Sequence, residues 1–305
     1  MELLIDADSL LYKYAAVNQD TFDWGEGQTT LVADLELAKG DLDDFIYAML
    51  DATGTTKYKM FVSSKENFRY DILPSYKQNR KGLEKPILLE PLREYLLAAH
   101  PAQTTTKIEA DDACCILMDR YPGRYVLAHI DKDLNQAVGT HYNWNKDDTY
   151  EIDEHQARYF FYYQVLVGDQ ADGYKGCPGI GDKKATAILD GITNDIDFWE
   201  AIVETYVAKG FTEEDALVQA RVAKMLDNNL WKANLQCFVA TVTGLQSDTT
   251  VECYPVYGNW GMGTGRYLDD PISTNGTSWI WRNYSGSSTW LTSGYPLCVT
   301  GSYNL

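Results

Sequence analysis

Acidic residues recur just after short apolar stretches of this chain. Ile5-Asp6-Ala7-Asp8 follows the first such stretch, and His129-Ile130-Asp131-Lys132-Asp133 follows a later one. Between them stands Ile108-Glu109-Ala110-Asp111-Asp112, and Asp169 and Asp172 close the run Val165-Leu166-Val167. One aspartate after a strand is an ordinary turn or helix-capping residue. Four such groups point instead to a shared site, provided the chain gathers them. Asp6, Glu109, Asp111, Asp112, Asp131, Asp133, Asp169 and Asp172 could not all stay ionised in one crevice without cations, because mutual repulsion raises carboxylate pKa values. Ligation by carboxylate oxygen and water suits Mg²⁺ or Mn²⁺ better than zinc.

The elements that must position these acids are legible in the hydrophobic pattern. Glu2 to Ala7, Tyr58 to Val62 and Tyr125 to Ile130 read as strands. Leu42, Phe45, Ile46, Met49 and Leu50 keep the spacing of an amphipathic helix. Leu88 to Ala99 and Ala113 to Asp119 read as helices between the second and third strands. Alternating strands and helices predict crossover connections and a mainly parallel α/β sheet with helices on its faces. The carboxyl ends of parallel strands share one edge, where the acids would converge. From about Asp153 the pattern is helical over 153–166, 182–190, 195–208 and 212–226, the last begun by a Thr212/Asp215 capping box.

The net charge of −18 on 305 residues, from 26 basic and 44 acidic, would by itself oppose a polyanionic partner. The signs are not evenly mixed. Lys65 to Lys85 holds six basic residues against three acids, including Arg69, Lys77, Arg80 and Lys81. Gly176-Cys177-Pro178-Gly179-Ile180-Gly181-Asp182-Lys183-Lys184 is a glycine-rich turn opening a helix, where backbone N–H groups and lysines could grip a phosphate. Six cysteines without C-x-x-C spacing argue against a zinc or disulfide scaffold, and the adjacent Cys114 and Cys115 read as core packing. No run approaches the ~20 apolar residues of a membrane helix. The opening MELLIDAD lacks the basic region of a secretory signal, so a cytoplasmic setting is expected.

Taken together, these residues resemble the flap endonuclease and 5′→3′ exonuclease superfamily in its bacteriophage form. The matching pieces are Asp6; Asn67-Phe68-Arg69 through Tyr76-Lys77-Gln78-Asn79-Arg80; Glu109-Ala110-Asp111-Asp112; Asp131-Lys132-Asp133; and Gly168-Asp169-x-x-Asp172 leading to Gly176-x-x-Gly179-Ile180-Gly181. The resemblance runs from about residue 2 to about residue 231. It implies a PIN-like nuclease core over 1–166, with a basic arch at about 65–85, and a helix–three-turn–helix DNA-binding domain over 167–231. It implies two divalent ions about 4 Å apart that activate water and stabilise charge on the phosphodiester oxygens. Asp6, Glu109 and Asp111 would hold the first ion, Asp131, Asp133, Asp169 and Asp172 the second, with Asp112 between them. A K⁺ ion could sit at the glycine-rich turn. Lys77 and Arg80 would touch the scissile phosphate or 5′ strand from the arch. Arg69, Tyr76, Lys81, Gly176, Gly179, Gly181, Lys183 and Lys184 would meet DNA. The implied substrates are DNA with a 5′ end or flap and RNA primers paired with DNA, in phage replication or recombination within the host cytoplasm. A monomer is expected, with replication proteins as partners.

Two departures stand out. The resembled family carries an acid after the strand before the arch, whereas here Phe61-Val62 is followed by Ser63-Ser64, which predicts weaker metal binding. A catalytically silent DNA-structure-binding module of the same fold is the alternative. The second departure is the segment 232–305. It holds three basic and four acidic residues, and it is rich in Gly, Ser, Thr, Tyr and Trp. It reads as a β-rich or irregular appendage of no recognised family.

Overall fold

The computed structural model describes residues 1–26, 28–228 and 230, so the expected appendage over 232–305 lies outside the described residues. In chain order the elements begin with β1 (Glu2–Asp6), α1 (Ala7–Val17), β2 (Gln19–Asp23), β3 (Thr29–Ala33), α2 (Leu35–Thr53) and β4 (Tyr58–Val62). Next come α3 (Arg69–Ile72), α4 (Leu89–Ala99), β5 (Ala102–Thr104), α5 (Ala110–Arg120) and β6 (Tyr125–His129). The last are β7 (Gly139–Asn143), β8 (Asp148–Ile152), α6 (Glu154–Val167), α7 (Asp182–Leu189), α8 (Asp195–Ala208) and α9 (Glu213–Ala223). Residues 1–191 and 201–228 form one unit; 192–200, the start of α8 included, group into a second.

Among the described residues a six-stranded sheet runs in the order β5-β4-β1-β6-β7-β8. β1 pairs in parallel with both β4 and β6, and only the β7–β8 pair is antiparallel. The centre of a parallel sheet is covered on both faces, so its strands must be apolar throughout. β1 meets that demand. Leu3 and Ile5 face a core with Leu10 of α1, Leu42 and Ile46 of α2 and Leu92 and Leu96 of α4. Leu4 faces the opposite core with Cys114, Cys115 and Met118 of α5 and Leu127 of β6. The two cysteines are thus packing groups, both buried and unbridged.

This architecture is the mainly parallel α/β fold that the alternating pattern predicts. Several pieces have no counterpart in the sequence reading: helices α1 and α3, the β2–β3 hairpin, the short β5 and the β7–β8 hairpin. The two hairpins carry many polar and charged residues, and β5 has only three residues. Apolar periodicity is too weak there to register. The Thr212/Asp215 capping box is made in full, with Asp215 N–H donating to Thr212 Oγ1 at 3.2 Å and Thr212 N–H to Asp215 Oδ2 at 2.8 Å.

Topology brings the site together. β4, β1 and β6 lie side by side in the same direction, so Asp6, Ser63 and Asp131 leave the sheet at one edge. Neighbouring strands are about 4.8 Å apart, which places side chains from three distant parts of the chain within reach of each other.

Candidate metal centre

Each acid is held by its own local structure. Asp6 caps α1, accepting from Asp8 N–H at 3.2 Å. Glu109 and Asp112 form a reciprocal capping box at the start of α5, and Asp112 Oδ2 accepts from Glu109 N–H at 3.1 Å. Asp131 accepts from Asp133 N–H at 2.9 Å. Asp169 accepts from Ala171 N–H at 2.7 Å as the chain turns toward Asp172. Carboxylate oxygens of Glu109, Asp111 and Asp112 lie within 4.8 Å of one another. The charges of Asp6 and Asp131 act on each other, as do those of Asp131 with Asp169 and Asp172. One group therefore runs from β1 across β6 to the 169–172 turn.

Protein cations neutralise part of this group. Arg69 is fully buried and forks onto Asp112, with Nη1 2.6 Å from Oδ2 and Nη2 2.8 Å from Oδ1. Its Nη1 also reaches Glu109 Oε2 at 3.2 Å. Lys77 Nζ bonds Glu109 Oε1 and stands 3.6 Å from Asp172 Oδ2. Arg80 holds Asp172 Oδ1 at 2.6 Å, and Lys132 holds Asp169 Oδ2 at 2.8 Å. Burial alone would raise the Glu109 carboxyl, but Lys77 and Arg69 outweigh it and bring the pKa below the ordinary range. Lys132 does the same for Asp169.

Asp6, Asp8, Asp111, Asp131 and Asp133 have no such partner; none makes an ion pair among the described residues. Burial pushes the Asp6 pKa up to about 8, with the charges of Asp8 and Asp131 adding to it. Burial and Asp131 push Asp133 up to about 7. Asp111, Asp131 and Asp8 are also raised, burial being the largest cause in each. Five carboxylates that make no ion pair among the described residues, two of them buried and three half-buried, all offering oxygen, fit hard divalent cations.

A prediction about stability follows. Asp6 and Asp133 keep protons in the folded protein that the unfolded chain has already lost above its pKa of 3.8. Folded stability therefore declines as pH rises from about 4 toward 8, by at most about 1.4 kcal/mol per group per pH unit. Glu109 and Asp169, whose pKa values are lowered, add an amount that is complete once pH passes their unfolded values of 4.5 and 3.8 and constant above that. In EDTA we expect urea denaturation to show a loss of about 3 kcal/mol between pH 5 and pH 8. Mg²⁺ should restore more stability at pH 8 than at pH 5. A flat profile in EDTA would show that these acids are not buried together.

The basic segment 65–81 behaves differently from the arch expected over the cleft. Tyr76 is buried, its hydroxyl 2.9 Å from Glu109 Oε2 and 2.8 Å from Asp172 Oδ2. Lys77 N–H donates to the Asp172 carbonyl at 2.7 Å, and Asn79 Nδ2 to the Gln170 carbonyl at 2.8 Å. Arg69 and Tyr76, expected to meet DNA, lie inside the protein, with their polar groups bonded to carboxylates and carbonyls. Asp112, expected between the two ions, gives both its oxygens to Arg69 and to the N–H groups of Glu109 and Leu226. Gly176, expected at the DNA surface, is buried. A Cβ there would lie 2.4 Å from Gly168 N and 2.5 Å from Leu166 O, so this glycine, at φ +63°, permits internal backbone packing. Lys81, Gly179, Gly181, Lys183 and Lys184 are exposed, the last four around the start of α7.

Two contributors escaped the sequence reading. Asp8 follows Asp6 at a spacing that puts both near the same strand end, and that spacing was its signal. His129 donates from Nδ1 to the Asp131 carbonyl at 2.6 Å, since a carbonyl only accepts. Burial holds its pKa down to about 3, so the ring is a neutral brace for the 131–133 turn.

Fold and centre define an α/β protein whose parallel-sheet edge gathers carboxylates for divalent cations. No family model matches the chain. It is 22% identical over 271 residues to the exonuclease of Escherichia phage T7, covering 74% of this chain and 88% of that protein. It is 25% identical over 235 residues to the exodeoxyribonuclease of Enterobacteria phage T3, covering 69% and 72%. The 5′-3′ exonuclease of Buchnera aphidicola is 28% identical over 184 residues, covering 52% and 64%. In fold it is similar to the 5′-exonuclease of phage T5 solved with bound divalent metal ions, at TM-score 0.55 and 17% identity over 73% of this chain and 88% of that one. In sequence and fold the chain is thus similar to phage exonucleases and to the phage T5 5′-exonuclease.

Proposed function

We propose that this protein is a divalent-metal 5′→3′ nuclease that hydrolyses phosphodiester bonds near the 5′ ends of DNA. One observation carries the reading: five buried or half-buried carboxylates that make no ion pair among the described residues meet at the edge of a parallel sheet. Asp6, Asp8, Asp111, Asp131 and Asp133 would hold two Mg²⁺ or Mn²⁺ ions, with Glu109, Asp169 and Asp172 sharing them on one side. Such ions lower the pKa of water and stabilise charge growing on phosphoryl oxygens.

The remaining work falls to the chain itself. Lys77 and Arg80 bring positive charge to the edge of the carboxylate group, where an incoming phosphate would otherwise meet only negative charge. Lys183 and Lys184, with the N–H groups opening α7, suit a duplex backbone phosphate, and K⁺ could support that turn. The buried Arg69 and Tyr76 orient Glu109, Asp112 and Asp172. On this reading 1–166 carries the chemistry and 167–231 tracks the duplex. Support comes from the relatives named as exonucleases and from the T5 flap endonuclease, solved as a complex with DNA and metal ions. The reading extends to RNA primers paired with DNA, to replication proteins as partners, to a monomer, and to the cytoplasm of an infected bacterium. Among the described residues no helix is long and apolar enough to cross a membrane.

The test is a 5′-labelled flap duplex incubated with the full chain in Mg²⁺, Mn²⁺ or EDTA. Short labelled products in either metal and none in EDTA are expected. Binding to the duplex without products in any metal would instead identify the silent structure-binding alternative.

A further inference from the structure

Asp8 stands two residues beyond Asp6 and is not one of the eight carboxylates assigned from the sequence. It is the second residue of α1, two residues past the end of β1. Its carboxylate is turned across the end of β4, where the Ser63 N–H donates to both oxygens, at 3.1 and 3.2 Å. Ser63 in turn accepts from the Ala110 N–H at 2.8 Å through Oγ. Ala110 lies between Glu109 and Asp111, so Ser63 ties Asp8 to the loop carrying two other acids. Apart from Ser63, no donor holds the Asp8 carboxylate among the described residues. Asp112, in contrast, fills its oxygens with Arg69 and two N–H groups. A carboxylate can accept about four hydrogen bonds or metal bonds. Asp8 therefore retains free lone pairs, whereas Asp112 does not.

We propose that Asp8 is a direct ligand of a divalent ion, aimed by the N–H and hydroxyl of Ser63 from the end of β4. This rests on the metal-dependent reading above. It also reverses the expectation that serine at position 63 leaves the site a carboxylate short: the negative charge is supplied from α1, and residue 63 orients it. The side chain of residue 63 already reaches Ala110 N–H, so a carboxylate placed there would open onto the same space.

The experiment measures Mn²⁺ binding to the full chain without DNA, by the loss of the free-ion EPR signal, together with urea stability in EDTA. Three proteins are compared: wild type, Asp8→Asn, and the exchange Asp8→Ser with Ser63→Asp. Asp8→Asn is expected to weaken Mn²⁺ binding about tenfold or more, with stability in EDTA equal to wild type or higher, because a half-buried charge without an ion pair is gone. The exchange is expected to recover binding to within about threefold of wild type. Wild-type affinity in Asp8→Asn would overturn the proposal while leaving the nuclease reading intact. So would an exchange protein that binds no better than Asp8→Asn. Should Asp8→Asn fail to fold, the exchange decides: folded and metal-binding supports the proposal, anything else overturns it. Absence of Mn²⁺ binding in the wild type would overturn both readings.

Discussion

Asp131→Asn combined with Asp133→Asn is expected to abolish cleavage of a 5′-flap duplex while leaving its binding within about threefold of wild type. Both side chains belong to the group without protein counter-ions, and the folded structure places them beside Asp169 and Asp172. Asparagine keeps the shape and one acceptor oxygen but no charge, so the 131–133 turn, capped by Asp131 and braced by His129, should persist. Charge stabilisation by bound metal is worth several kcal/mol in phosphoryl transfer, so a loss of about 10³-fold or more is anticipated. The exposed lysines at the start of α7, proposed to meet the duplex, are untouched, which is why binding should survive. The double variant should also be more stable than wild type in EDTA at pH 8, since two mutually repelling buried charges are gone. Retained metal-dependent cleavage would sink the assignment of these two residues.

Arg69→Met is expected to lower stability by about 3–5 kcal/mol, the range for removing one partner from a buried ion pair. All five guanidinium N–H groups are used: two on Asp112, one on Glu109, one on the Val222 carbonyl at 2.8 Å and one on the Lys224 carbonyl at 2.8 Å. Burial works against the charged guanidinium, and Asp112 more than reverses that, holding its pKa well above the usual value. Removing it strands Asp112 as a buried anion and frees two carbonyls at the end of α9, those of Val222 and Lys224. Arg69→Met with Asp112→Asn should recover more than half of the loss, because the stranded charge disappears with the pair. Equilibrium urea denaturation measures both. A cost below about 1 kcal/mol for Arg69→Met would mean that the pair does not fasten the basic segment to α5 and the end of α9. The salt dependence of DNA binding should not move, since a buried arginine releases no counterions from a duplex.

The basic segment shows how residue types can mislead about role. A run with six cations in an acidic chain reads as a surface for phosphate. Yet Arg69 and Tyr76 are drawn inside by carboxylates that lie 33 or more residues away in the chain, and Asp172, 96 residues from Tyr76, is one of them. A guanidinium offers the same five donors to a phosphate or to a carboxylate. Only the fold decides which it meets. Gly176 is a similar case: its freedom serves contact with Gly168 inside the protein, while Gly179 and Gly181 stay at the surface.

What the amino-acid order determined by itself was the frame and the position of acids upon it. Continuous apolar runs in β1 and β6 demand burial on both faces, and helices between parallel strands force their carboxyl ends to one edge. Any acid just beyond those strands is thereby committed to that edge, so Asp6 and Asp131 could be placed from local pattern alone. The division of labour among the acids was decided by tertiary structure. Whether a carboxylate is matched by an arginine or left for a metal depends on atoms brought within about 3 Å from remote segments, and a charge–charge energy that falls with distance is invisible to sequence spacing. That is why Asp112 proves to be an anchor for Arg69, and why Asp8, held by a serine 55 residues away, joins the acids without counter-ions.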